Sequence, residues 1–151
     1  VGILTRGTTV DADVFFSTLS ANEVNFLAED ESVVRISSVT MQMGLTGLRV
    51  DDQASVNLRF SAITNSGTQN VEVSSPNVDL GRVGAVGSNS FQGATGVNIW
   101  NRTTGTLQAV GNTLDARPVT QSNTNENDGG QNVANEFFPQ GCTKVQPADC
   151  P

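Results

Sequence analysis

Two pairs of carboxylates, Asp11 with Asp13 and Asp51 with Asp52, are the nearest this chain comes to the residue types of an acid–base site. Paired carboxyl groups flanking a glycosidic bond hydrolyse it, one as acid and the other as base or nucleophile. Both pairs also have a plainer reading. Asp11 and Asp13 fall on the polar side of an alternating stretch, and Asp51-Asp52 stands where the chain needs a turn. The 151 residues contain no histidine, which removes the commonest general base and the usual metal ligand. A Ser-His-Asp or Cys-His arrangement is therefore excluded.

Oxygen ligands for calcium are the other chemistry on offer. The stretch 124–129, Thr-Asn-Glu126-Asn-Asp128-Gly, has acidic groups two apart ahead of a glycine, as in half of a calcium loop. It lacks an acidic first ligand, and Asn135 stands where a closing Glu belongs, with Glu136 one residue late. Asp51 and Asp52 form the second calcium candidate. A polar loop is the simpler account of 120–132, so no cofactor is expected, with calcium the one ion left open. Asn101-Arg102-Thr103 is a glycosylation sequon. The glycines from 81 to 96 lack the strand-to-helix context of a nucleotide fingerprint.

The elements that position these groups are strands. Val56, Leu58, Phe60 and Ala62 alternate with Asn57, Arg59 and Ser61, the pattern of a half-buried strand. Asn65-Ser66-Gly67 then suits a tight turn, and Val71 and Val73 resume the alternation, so 52–75 reads as an antiparallel hairpin. A second hairpin is expected from 96–100 and 106–110, with Val97, Ile99, Leu107 and Ala109 inward and Trp100 outward. Val10, Ala12, Val14 and Phe16 share one face of a further strand, and 32–43 is again strand-like. Ser20 followed by Glu23 has capping-box spacing and predicts one short helical turn over 24–29. The glycine-rich passage 78–86 reads as loop with short extended pieces, and no periodic internal repeat is visible. The expected fold is all-β and mainly antiparallel, a single β-sandwich or barrel-like domain over 1–151 with at most one short helix. Residues 1–9 form a candidate exchange strand in it, and 118–151 a polar loop with a disulfide-closed tail.

A formal charge of −7 repels a phosphate backbone, and seven Arg with one Lys are spread singly, so neither nucleic acid nor anionic lipid is an expected partner. No apolar run approaches the roughly 20 residues of a membrane span. The chain opens on Val1 rather than Met, which points to a removed export signal. Cys142 and Cys150 without histidine or a second cysteine pair make an incomplete zinc site. A disulfide in an oxidising compartment is the better reading.

The closing segment, from Gly141-Cys142 to Cys150-Pro151, resembles the disulfide-closed C-terminal loop of type IV pilins, whose heads are strand-rich. The resemblance covers about a tenth of the chain. The apolar N-terminal helix of that family is missing, so it implies at most a separate head.

These features together predict an exported, extracellular or cell-surface, non-enzymatic subunit that self-assembles into a filament, pilus or coat. The apolar terminus Val1, Ile3 and Leu4 would pair beside an open sheet edge in a neighbouring copy or a second pilus subunit. The alternative is a carbohydrate-binding or adhesive module, calcium-assisted, that meets a surface glycan through Trp100 and the Asn-rich loop.

Overall fold

The computed structural model describes residues 1–105 and 107–114, and the backbone of 136–137. Each turn of the chain contributes three short strands. The first holds β1 (Ile3–Arg6), β2 (Asp11–Phe15) and β3 (Thr18–Ser20), and the second β4 (Val24–Glu29), β5 (Val33–Ser37) and β6 (Thr40–Gln42). The third holds β7 (Thr46–Val50), β8 (Ser55–Arg59) and β9 (Ala62–Thr64), and the fourth β10 (Gln69–Val73), β11 (Val78–Asp79) and β12 (Ser90–Gln92). The fifth holds β13 (Ile99–Asn101), β14 (Leu107–Gln108) and β15 (Thr113–Leu114), and β16 (Glu136–Phe137) follows.

The strands stack coil on coil into three faces. Face A is β1-β4-β7-β10-β13, face B is β2-β5-β8-β11, and face C is β3-β6-β9-β12-β15, and all pairs within them are parallel. The fold is thus a β-solenoid of about 5 turns, which corrects the expected antiparallel sandwich or barrel. Of the named strands, only β14 and β16 pair antiparallel.

The hairpin expected over 52–75 does not form: β9 and β10 lie on different faces, and β10 pairs with β7 and β13. The second expected hairpin also gives way, because β13 pairs with β10 and β14 with β16. Residues 24–29 are a strand, not a helical turn, with Phe26 and Ala28 fully buried. No helix of the described residues is long and apolar enough to cross a membrane.

The register reveals a repeat. Ile3, Phe26, Leu48, Val71 and Ile99 stack in one column, and Leu19, Met41, Ile63, Phe91 and Leu114 in another. Each strand turns only one to three side chains inward, too few to close a core alone. Burial comes from stacking the next coil on top.

Between strands the backbone turns at left-handed residues that also recur. Phe16, Ser38, Phe60 and Ser88 have φ of 48, 57, 52 and 52°, and Gly111 continues the series at 76°. Ala21, Met43, Asn65 and Gly93 mark a second corner, and Gly7, Asp30 and Asp52 the third. One coil breaks the period. Val56 pairs with Val78 and Ala62 with Ser90, so the passage between faces B and C is six residues longer in the fourth coil. The extra chain folds on itself through mutual backbone bonds of Arg82 and Ala85.

Candidate functional site

Three of the carboxylates singled out from sequence, Asp11, Asp13 and Asp51, are held by arginines. Asp11 and Asp13 project from face B and share Arg35, at 2.7 and 2.6 Å. The hydrogen bond that Arg35 donates to Asp13, then the charge of Asp11, holds the Arg35 guanidinium above its usual value. Asp51 pairs with Arg49 at 2.7 Å, while Asp52 occupies a left-handed corner and its Oδ2 accepts from the Asp30 amide. The two members of the Asp51-Asp52 pair therefore point to different partners. No group of three or more metal-binding side chains occurs among the described residues. Glu126, Asp128, Cys142 and Cys150 lie outside those residues.

The Asn101 side chain is fully buried; its Nδ2 donates to the Gly105 carbonyl, and its Oδ1 accepts from the Thr103 amide and hydroxyl. In the folded chain that nitrogen is turned away from a glycosylating enzyme. Trp100 is half-buried with outward parity, and the Arg102 guanidinium lies 4.9 Å from its ring centroid. Arg102 also pairs with the buried Glu72 at 2.5 Å, and Arg6 with Glu29. Face A is thus as heavily ion-paired as face B, where Arg59 meets Asp79 at 2.7 Å.

Face C differs from both. None of β3, β6, β9, β12 and β15 carries a charged residue. Leu19, Met41, Ile63, Phe91 and Leu114 point inward, leaving two outward columns: Thr18, Thr40, Ala62, Ser90, Thr113, and beside it Ser20, Gln42, Thr64, Gln92. Parallel strands place such groups about 4.8 Å apart between coils, with successive outward residues roughly 6.6 Å apart along the strand.

A groove of about 570 Å³ runs along the corner between faces B and C, lined by residues 38–40, 60–62, 88–90, Gly111 and Thr113. Its floor is a buried ladder: the Val39 amide donates to Ser61 Oγ, the Ser61 amide to Asn89 Oδ1, and the Asn89 amide to Asn112 Oδ1. Phe60 stands in the groove wall 63% exposed, and Phe16, two coils earlier in the same corner column, is 88% exposed. Sequence reading placed both on a buried strand face. The signal that would have separated them is the equal spacing of Phe16, Ser38 and Phe60 beside that of Leu19, Met41 and Ile63.

Val1, Ile3 and Leu4 belong to the first coil, whose strands β1, β2 and β3 each end their sheet. Ile3, Ala12, Val14 and Leu19 point inward there but are only partly buried, packed against the second coil on one side. Val1 and Leu4 are 57% and 46% exposed. Compared with family models, with curated proteins and with solved structures, the chain matches none.

Proposed function

We propose that this chain is a non-enzymatic structural subunit of an extracellular assembly, adding copies of itself coil on coil through the first turn of the solenoid. The observation that carries the reading is the first described coil, whose β1, β2 and β3 are edge strands around a partly buried apolar cross-section of Ile3, Ala12, Val14 and Leu19. An unpaired edge of that kind is a template for further strands, and a second solenoid offers the same rise and inward spacing. Among the described residues, the complementary end is that of β13 and β15, the last strands of faces A and C. Joining unlike ends repeats without closing and grows a filament.

The arginine-paired carboxylates fit an inert surface better than turnover, since Asp11 and Asp13 share Arg35 and Asp51 pairs with Arg49. The test is assembly itself. Sedimentation velocity and negative-stain microscopy of the 151-residue chain should show polymers lengthening with concentration. Leu19→Lys places a charge in the stacking cross-section and should leave monomers with an unchanged circular dichroism spectrum. Removing residues 1–4 should weaken polymers without unfolding the later coils. A parent protein that stays monomeric at every concentration overturns the proposal.

A further inference from the structure

We infer that the groove between faces B and C binds a neutral, extended polysaccharide lying parallel to the solenoid axis, with Phe60 and Phe16 stacking on its sugar rings. This site goes beyond the assembly reading and does not depend on it.

Charge selects the ligand class first. The chain carries −7, yet face C has no ionisable side chain on any of its strands, so neither an acidic nor a basic polymer finds a partner there. Hydrogen-bonding capacity selects next. The hydroxyls of Ser38, Thr40, Ser90 and Thr113 make no hydrogen bond within the protein among the described residues, whereas Ser61 and Asn89 beneath them are committed to backbone groups. The upper rows therefore present free donors and acceptors over a rigid floor. Polyhydroxylated chains satisfy such rows directly or through water.

Shape completes the argument. Four successive coils line the groove, so it spans roughly 14 Å along the axis, within the size range of small-ligand sites and open to a longer chain. Phe60 is a bulky residue held at φ 52° and 63% exposed, and Phe16 is held at 48° and 88% exposed. Left-handed backbone disfavours both, and water disfavours both rings. Neither the coil nor the core requires them, since Ser38 and Ser88 make the same turn. Two coils separate the two rings, roughly 9.5 Å, close to the length of one disaccharide in an extended β-linked hexose chain. Aromatic rings at that interval meet alternate apolar sugar faces, and the hydroxyl rows meet the sugar edges.

The experiment titrates the intact chain with soluble β-linked oligosaccharides, cellohexaose and chitohexaose, by calorimetry, alongside co-sedimentation with insoluble cellulose and chitin. Saturable binding to at least one of these is expected. Phe60→Gly should bind at least tenfold more weakly while keeping or raising Tm, because glycine suits the left-handed corner. Thr40→Glu should abolish binding, and Arg35→Ala on face B should leave it unchanged. The Leu19→Lys variant should bind as the parent does, which separates this site from assembly. No binding to any of the four sugars overturns the inference, as does binding that Phe60→Gly and Thr40→Glu leave intact. Shaping of growing ice crystals, lost in Thr40→Glu and without glycan binding, would also overturn it and assign face C to ice.

Discussion

Asn89 shows what one buried amide does in a coil that must turn without a hairpin. Its Oδ1 accepts from the Ser61 amide, and its Nδ2 donates to the Leu58 carbonyl and to Asn112 Oδ1. Asn89→Ala leaves the Ser61 N–H buried without its acceptor, while the Leu58 carbonyl keeps the Arg59 guanidinium. At about 1–3 kcal/mol for a stranded group, a loss of that size in urea denaturation is expected. A loss below about 1 kcal/mol would mean that the ladder is not what holds this corner. Arg35 is the contrasting residue. Its folded value is raised, so its contribution is complete at every pH below the ordinary arginine range and fades only as pH climbs through the higher folded value. Arg35 therefore adds no slope to stability across neutral pH. Because all three side chains of the cluster are about half exposed, Arg35→Ala should leave the urea midpoint within error of the parent.

At the scale of the strand, the solenoid lives on layers. Phe91 is fully buried between Ile63 and Leu114 in the face C column. Phe91→Ala should cost about 3–5 kcal/mol, read as a lower denaturation midpoint with an unchanged spectrum. Gly47 marks a close approach of two layers. A Cβ there would lie 2.1 Å from Ile63 Cγ2 and 2.6 Å from the Asn70 carbonyl, so Gly47→Ala overpacks the corner, at about 1–3 kcal/mol. Alternation was legible in these strands, and Val56, Leu58, Val71 and Val73 are buried as it implied. Their partners were not legible. Alternation records only that one side of a strand meets water, and that holds for an outer solenoid strand as for an antiparallel one. The apparent turn at Asn65 is a left-handed corner leading to another face, a difference local residue types do not encode.

The described coils form a stack that is close to one-dimensional, each touching only its neighbours. Its stability should therefore grade along the axis. Amide hydrogen exchange should be fastest in β1, β2 and β3, which pair on one side only, and slowest in β4 to β9. Uniform protection from β1 to β12 would mean that the first coil is covered, and its disappearance on dilution would identify the cover as another copy. The open coil and the uncharged face C are both properties of stacking, because each gathers residues about 22 positions apart onto one surface.

What the amino-acid order determined alone was the class of structure and the chemistry it excludes. β-branched residues, alternation and turn formers demanded strands, and the missing histidine removed nucleophilic triads. Stacking decided the rest. The repeat escaped notice because its columns conserve a role and not an identity: Phe16, Ser38, Phe60, Ser88 and Gly111 share a backbone angle, while the six extra residues of the fourth coil shift the period. Whether an alternating strand pairs with its sequence neighbour or with the one a full turn away depends on which arrangement covers its apolar side. Only the assembled coils supply that answer, and with it they turn two apparent core phenylalanines outward, Phe60 into the groove wall and Phe16 onto the same corner column.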